Sequence, residues 1–315
     1  MRCIINYNTD PYFNIASEEY LLKSCSDDIF MLYINNPSII IGKHQNVFAE
    51  INMKFVSTNN IPVIRRLSGG GTVFHDLGNL NFTFIRNSDA GKQIDFKKFT
   101  TPIIEVLHQL NIPATFSGRN DLLIEGLKFS GNAEHVYKNR TLHHGTLLFA
   151  SALESLRDAI RVNSSQYIDK AVKSVRSQVT NIKNYLSSDY TIESFRSNIL
   201  KHIQSYHTDF TVHEFTDNET MIINELVLSK YNTWEWNFAY SPSCTIKKSF
   251  SELSNHFKIN LEIENGKIVN SLILENNIIQ KEINAAISNL PYYPQIIAEN
   301  LYKIKNPEIW VSRLF

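Results

Sequence analysis

Three consecutive glycines separate two strand-like segments in this chain, and no other sequence feature constrains the fold as strongly. The segment RRLSGGGTVFHDLGNLNFTF covers residues 65–84, with the strand-like run IPVIRR before the glycines and the alternating run LNFTFI after them. A P-loop is excluded because its G-x-x-x-x-G-K-[ST] pattern is absent, and a Rossmann turn fits poorly because strand residues follow at 72–74. Two interpretations remain: a tight turn with surface arginines, or a bare backbone that a ligand approaches while an arginine meets a phosphate.

The size and charge of the chain limit its class of function. Its 315 residues, 43% of them hydrophobic, suit about two domains with a buried core. The 31 basic and 31 acidic residues balance, so no global field attracts nucleic acid or an anionic membrane, and any anion site must be local. No apolar run approaches about 18 residues and the N-terminal segment does not resemble a signal peptide, so we expect no membrane span and a cytoplasmic location.

The cysteines predict neither a disulfide framework nor a zinc site. Cys3, Cys25 and Cys244 are odd in number, far apart and in no C-x-x-C spacing. This usage is consistent with a reducing compartment.

Helix and strand patterns alternate without the regular βαβ order of a doubly wound fold. TDPYFNIASEEYLL predicts a helix, since Asp10 suits the N-cap and Pro11 the first helical position. IFMLYINNPSIIIGKHQN (29–46) predicts two strands joined by a hairpin or a tight connection, and FKKFTTPIIEVLHQLN (96–111) has helical spacing. We therefore expect an α/β (α+β) fold with a mixed, largely antiparallel sheet.

A second, smaller unit is predicted at 244–315, after a main domain at 1–243. The segment AYSPSC is a plausible linker, and Asn265-Gly266 between alternating strands is a strong hairpin signal. Two helical patterns follow, EINAAISNL and PQIIAENLYKI, so we expect a small α+β C-terminal domain.

A second polar constellation lies in GRNDLLIEGLKFSGNA (118–133). Asn120 and Asp121 begin one strand, and alternation on the returning strand turns Lys128 away from its apolar neighbours. Gly131 follows closely and leaves room for a ligand, while Asp121 could hold either the lysine or a magnesium ion. An ordinary exposed lysine is the other interpretation.

A third motif, HHGTLLF, carries adjacent histidines on a predicted strand. His143 and His144 must face opposite ways, so they cannot chelate one metal ion together in regular geometry. One of them is expected in the core or behind the site.

These motifs, with SVRSQVTNI (174–182) and WEWNF (234–238), resemble those of lipoate-protein ligases in order and approximate spacing. The match covers residues 10 to about 250, and the remainder is similar to that family's accessory domain. The resemblance implies a core similar to biotin protein ligases and class II aminoacyl-tRNA synthetases. It also implies ATP, Mg²⁺ and lipoate as ligands, and as acceptors apo lipoyl-domain proteins, namely acyltransferase subunits of 2-oxoacid dehydrogenases and the glycine cleavage H protein. Nothing demands more than a monomer.

The resemblance also assigns roles to residues. Lys128 is the expected catalytic residue, Asp121 the expected metal contact, and lipoate is expected to meet Lys128, Arg66, Gly71 and His75. The residues expected to bind ATP or the adenylate are Arg66, Ser68, Gly69, Gly70, Gly71, Thr72, Val73, Phe74, His75, Asn120 and Lys128. The strand and loop SIIIGKHQN are expected to form one wall of an apolar slot for the acyl chain.

Several alternatives remain at this stage. A cysteine-dependent octanoyltransferase is disfavoured because no cysteine neighbours the motifs, and a biotin ligase because its basic glycine-arginine loop is replaced by RRLSGGG. A lipoyltransferase that accepts preformed lipoyl-AMP would keep the same motifs. A non-catalytic lipoate- or adenylate-binding protein is the alternative from another class.

Overall fold

The computed structural model describes residues 1–87, 94–118, 120–160, 162–175, 177–207, 209–304 and 306–315; Arg119 and Arg176, which belong to two of the motifs above, lie outside them. The described strands are β1 (Arg2–Asn6), β2 (Ile29–Ile34), β3 (Ser38–Ile41), β4 (Val63–Arg65), β5 (Val73–His75), β6 (Asn79–Asn87), β7 (Ala114–Ser117), β8 (Asp121–Ile124), β9 (Leu127–Tyr137), β10 (Arg140–Leu148), β11 (Tyr167–Ile168), β12 (Thr211–His213), β13 (Cys244–Glu252), β14 (Asn255–Glu264), β15 (Lys267–Glu275) and β16 (Ile278–Ile279). The described helices are α1 (Pro11–Ser24), α2 (Val47–Glu50), α3 (Met53–Thr58), α4 (Phe96–Gln109), α5 (Leu153–Ala159), α6 (Ile192–Ser205), α7 (Asp217–Leu226), α8 (Lys281–Ile287), α9 (Pro294–Asn300) and α10 (Pro307–Leu314).

The largest sheet has the strand order β12-β1-β2-β6-β10-β9-β8-β7. Only β1 pairs in parallel, with β2 and β12, and the other pairs are antiparallel. This sheet confirms the predicted mixed, largely antiparallel α/β fold.

Helices cover both faces of this sheet. On one face, α4 and α6 pack against Leu80, Phe82 and Phe84 of β6. On the other face lies α1, which begins as predicted with Asp10 accepting hydrogen bonds from the first-turn N–H groups and Pro11 at the first position. The alternate residues Asn81 and Thr83 face the α1 side and are therefore buried too, although their polar side chains are of the kind that usually faces solvent.

A second, three-stranded sheet, β4-β3-β5, lies over the α1 side of the large sheet and carries the glycine segment between β4 and β5. The strands β2 and β3 are joined by a tight connection, which was one of the two arrangements predicted for this segment. They do not form a hairpin, because β2 pairs with β1 and β6 while β3 pairs with β4 and β5.

The C-terminal part contributes a five-stranded antiparallel sheet, β11-β13-β14-β15-β16. Its central turn confirms the hairpin signal: Asn265 and Gly266 both have positive φ, 48° and 71°, as a type I′ turn requires. This sheet begins its main run at Cys244 but also includes β11 from the preceding part, so the division at 243/244 stays a prediction. Among the described residues, no helix is long and apolar enough to cross a membrane.

Candidate active site

A cavity of about 270 Å³ lies between the large sheet and the three-stranded sheet. Its floor follows one row of residues across four strands, since Tyr33 on β2 pairs with Asn81 on β6, Asn81 pairs with Thr146 on β10, and the Thr146 hydroxyl accepts a hydrogen bond from Gly131 N–H on β9. Three strand spacings separate β2 from β9, about 14 Å. The cavity is thus long enough to accept an extended chain lying across the strands.

Arg66 shapes the glycine segment that closes this cavity. Its guanidinium donates to the carbonyl oxygens of Ile40, Gly69 and Gly71 at 3.0, 2.7 and 2.7 Å, and to the Ser68 hydroxyl at 3.0 Å. Gly70 has a φ of +86°, a conformation that L side chains rarely adopt. The glycine segment therefore needs its flexible backbone in order to wrap around the arginine.

The two adjacent arginines bring positive charge into the protein without a carboxylate partner. Among the described residues, no carboxylate lies within salt-bridge distance of Arg65 or Arg66. Burial lowers the pKa of Arg66 to about 10, so it stays charged at neutral pH. With Lys128 and Lys173 also lining the cavity, the site attracts anions.

Lys128 is held at the β9 end of the cavity by its side chain and by its backbone. Its ammonium contacts the Asp121 carboxylate at 2.8 Å. Its N–H donates to the carbonyl of Gln178 and its carbonyl accepts from Thr180 N–H, both at 2.9 Å, so the 178–180 segment forms a parallel bridge with β9 at Lys128. The β8–β9 register shifts between Leu122 and Leu123, a bulge that interrupts the simple alternation assumed from the sequence.

Behind the glycine segment, a chain of hydrogen bonds joins a buried carboxylate to the arginine. Glu18 contacts His144 Nδ1 at 2.7 Å, and His144 Nε2 contacts the Ser68 hydroxyl at 2.6 Å. Ser68 is fully buried and also accepts from Arg66 Nε. The chain therefore orients Arg66, and it does not present a serine nucleophile to the cavity.

The segment 172–175 forms the roof of the cavity and is tied to the glycine segment. The Ser174 hydroxyl accepts from Thr72 N–H at 2.9 Å and from the Gln45 amide at 3.0 Å, and it donates to Glu50. Burial raises the pKa of Glu50 above its ordinary value. These contacts close the roof over the Thr72 backbone.

Arg65 connects the site to the WEWNF motif. Its fully buried guanidinium donates to the carbonyl oxygens of Gly42, Lys43 and Gln45 on one side, and to those of Trp236 and Asn237 on the other. The motif therefore fixes the loop that follows β3. Its outer face supports the C-terminal part, where a Cβ on Gly266 would lie 2.9 Å from the ring of Trp234.

The adjacent histidines face opposite ways, as predicted. His143 stacks on Phe99 at 4.9 Å between ring centroids, and its Nδ1 lies 2.8 Å from Glu134. Burial lowers the pKa of His143 well below its ordinary value. His143 is thus the core residue, and His144 borders the cavity.

Most of the predicted site residues line the cavity, namely Arg66, Gly70, Gly71, Thr72, Val73, His75, Asn120, Asp121 and Lys128. Ser68 and Gly69 lie behind it as partners of Arg66, and the Phe74 side chain turns into the core because alternate residues of a strand face opposite ways. Ile40, from the segment expected to form a wall of the acyl slot, also lines the cavity. Sequence reasoning missed Glu18, Tyr33, Asn81 and Ser174, whose partners are distant in the chain.

One carboxylate at the cavity, that of Asp121, could contact a magnesium ion that substrate phosphates also bind. Among the described residues, no group of three or more His, Cys, Asp or Glu could hold a metal ion. Asp121 is one carboxylate at the cavity. This number suits Mg²⁺, which commonly binds one or two carboxylates together with substrate phosphates and water.

The three cysteines are free, and none of them lines the cavity. Burial raises the pKa of Cys3 to about 12 and that of Cys244 to about 11, and burial also raises the pKa of Cys25. The thiolate is the nucleophilic form of cysteine, so these thiols are disfavoured as nucleophiles.

Comparisons with known proteins identify the family of this chain. The chain is 43% identical over 273 residues to the lipoate-protein ligase LplJ of Bacillus subtilis (strain 168), covering 85% of this chain and 82% of that protein. A bipartite lipoate protein ligase of Thermoplasma acidophilum, studied with its E2 lipoyl domain, has a TM-score of 0.66 at 26% identity and matches 75% of this chain and 95% of its own. A lipoate-protein ligase A bound with ATP has a TM-score of 0.65 at 25% identity, over 75% and 98% of the two chains. Residues 10–204 match the family described as the lipoyl protein ligase A/B catalytic domain, and the chain therefore belongs to the lipoate-protein ligase family.

Proposed function

We propose that this protein is an ATP-dependent lipoate-protein ligase that activates free lipoate to lipoyl-AMP and transfers the lipoyl group to a lysine of lipoyl-domain proteins. The observation that carries the proposal is the ion pair of Lys128 with Asp121 at one end of a long, positively charged cavity. Membership of the lipoate-protein ligase family supports the choice of acyl group.

In the activation step, a carboxylate oxygen of lipoate attacks the α-phosphorus of ATP and pyrophosphate leaves. Both reactants are anions, so bringing them together requires cationic groups. The Lys128 ammonium is the group that contacts the carboxylate and the α-phosphate, and Arg66 orders the backbone of 69–72 against the nucleotide. Such preorganised charge stabilises the transition state more than the ground state.

In the transfer step, the amine of an acceptor lysine attacks the acyl carbonyl of lipoyl-AMP, AMP leaves, and an amide forms. Lys128 stabilises the negative charge that develops on the carbonyl oxygen. The acceptors are apo lipoyl-domain proteins: acyltransferase subunits of 2-oxoacid dehydrogenases and the glycine cleavage H protein. An E2 lipoyl domain is the partner named for the Thermoplasma ligase, which supports this class of acceptor.

Asp121 is the residue that would contact the Mg²⁺ accompanying ATP. That ion would neutralise charge on the phosphates, while Asp121 also keeps the Lys128 ammonium over the cavity. The proposal also includes a cytoplasmic location, which is consistent with the three free cysteines. It further includes a monomeric protein and an accessory domain at 244–315.

The test is a pair of assays with the intact protein. Lipoate, labelled ATP and Mg²⁺ without acceptor should yield pyrophosphate and enzyme-bound lipoyl-AMP. When an apo lipoyl domain is added, mass spectrometry should show that the acceptor is modified at one lysine. Biotin should not compete with lipoate. An unmodified acceptor in the presence of every cosubstrate would exclude the ligase. Transfer from synthetic lipoyl-AMP without activation would identify a lipoyltransferase instead.

A further inference from the structure

One polar atom that borders the cavity has no partner. His75 is 3% exposed and lines the cavity, and its buried Nε2 has no hydrogen-bond partner among the described residues. A buried donor or acceptor is normally satisfied, so an orphan at a binding site suggests that a ligand completes it.

A run of buried amides fixes which atom of His75 carries the proton. The Asn14 amide nitrogen faces the backbone carbonyls of Asn8 and Ile34, at 2.8 and 3.3 Å, and these oxygens can only accept hydrogen bonds. The same nitrogen therefore donates to Asn35 Oδ1 at 2.8 Å, which turns the Asn35 amide nitrogen toward His75 Nδ1 at 2.9 Å.

Because Asn35 donates, His75 Nδ1 must accept, and the single proton of the neutral imidazole lies on Nε2. Burial, together with the charges of Arg66 and His144, lowers the pKa of His75 to about 3, so the ring is neutral at physiological pH. His75 therefore offers an uncharged N–H donor at the cavity.

This donor lies at the end of the cavity remote from the catalytic lysine. His75 pairs with Ser38 on β3, and its side chain is hydrogen-bonded to Asn35, the residue that directly follows β2. Lys128, in contrast, belongs to β9. The strand order places three strand spacings between β2 and β9, about 14 Å. If the lipoate carboxylate meets Lys128, the other end of the acyl chain lies near His75.

We infer that the His75 Nε2–H group selects acyl chains that carry a hydrogen-bond acceptor at their far end, and so favours lipoate over octanoate. This inference rests on the proposed function. The dithiolane ring of lipoate presents sulfur atoms, which are weak acceptors, whereas octanoate ends in a methyl group that leaves the donor unpaired. An unpaired buried donor disfavours the octanoyl complex by about tenfold.

The experiment compares kcat/KM for lipoate and for octanoate in wild-type protein and in two variants of similar length. His75→Gln keeps an N–H donor near the position of Nε2–H, although it has no acceptor in place of Nδ1. His75→Met keeps the volume but has no donor. The lipoate preference should persist in His75→Gln and fall about tenfold in His75→Met. Phe74→Leu, on the same strand but facing the core, should leave the preference unchanged.

A second measurement needs no substitution at His75. Long-range ¹H–¹⁵N spectra of the wild-type protein should identify His75 as the Nε2–H tautomer. The Nε2 resonance should shift when lipoate is added, and octanoate should not produce the same shift. In Asn35→Ala, the Nδ1–H form should become detectable. A wild-type Nδ1–H tautomer, or equal loss for both acids in His75→Met, overturns the inference. Lipoate attachment by the wild-type protein would still support the proposed function in that case.

Discussion

Replacing Lys128 by alanine is the most direct test of the proposed chemistry. The substitution removes the ammonium 2.8 Å from Asp121, in a pair whose side chains are 24% and 30% exposed. A partly exposed pair of this kind contributes about 0–1 kcal/mol to the free energy of unfolding. The backbone bonds to Gln178 and Thr180 do not depend on the side chain. Lys128→Ala should therefore fold normally, with an unfolding transition close to that of the wild-type protein.

The effect on rate should be much larger than the effect on stability. Removing one preorganised group that stabilises developing negative charge costs about 10²-fold or more, or at least about 2.7 kcal/mol. Because the ammonium serves both the α-phosphate and the later oxyanion, pyrophosphate release and transfer from synthetic lipoyl-AMP should both slow by this factor. Lys128→Arg should restore little activity, since a planar guanidinium does not replace a compact ammonium on a bulged strand.

Lys173 supplies the matched control, because it also lines the cavity but lies on the exposed roof. Lys173→Ala should weaken ATP binding by only a few-fold in a salt-dependent manner, with little change in the rate of the bound complex. Near-wild-type rates of Lys128→Ala in both half-reactions would refute the reasoning and move the catalytic role elsewhere.

Three further predictions concern the thiols, the roof and the C-terminal part. Replacing Cys3, Cys25 and Cys244 together by serine or alanine should leave lipoyl transfer largely intact, and inactivity of a folded triple variant would revive an acyl-enzyme route. Ser174→Ala removes three hydrogen bonds of the hydroxyl and should loosen the roof, so pyrophosphate formed should exceed acceptor modified by about fivefold or more; one-to-one stoichiometry would contradict this. Burial lowers the pKa of Lys248 from its ordinary value of 10.5 to about 8, so the unfolded chain binds more protons than the folded protein between these two pH values. The free energy of unfolding should therefore rise by about 3 kcal/mol as the pH increases from 8 to 10.5. Urea unfolding of Lys248→Met should not show that rise, and equal rises in both proteins would exclude this explanation.

The features that the sequence predicted correctly depend on neighbouring residues. The Asp10 cap and the Asn265-Gly266 hairpin each depend on a few adjacent positions, and the structure confirms both. Lys128 and Asp121 are also close in sequence, joined by one turn, so their pairing could be expected from strand register.

The features that escaped prediction join residues far apart in the chain. Glu18 and His144 are 126 positions apart, and Glu50 and Ser174 are 124 apart. A buried carboxylate in a helix has no local signal, because its partner is supplied only when α1 packs on the large sheet. The bulge at Lys128 was missed for a related reason: alternation predicts regular pairing, whereas the shift is a property of two strands together.

The arrangement of nucleophilic side chains supports transfer without a covalent enzyme intermediate. Glu18, His144 and Ser68 have the order of an acid-base-nucleophile chain, but the serine is fully buried and accepts a hydrogen bond from Arg66. Attack by Ser68 on a bound acyl group would require that contact to break and the glycine segment to open. None of the three cysteines lines the cavity, and burial raises the pKa of Cys3 and Cys244. A cationic cavity beside which Ser68 is buried and bonded to Arg66, and which none of the three cysteines lines, therefore suits a reaction in which ATP activates the acid and the acceptor amine attacks the adenylate directly.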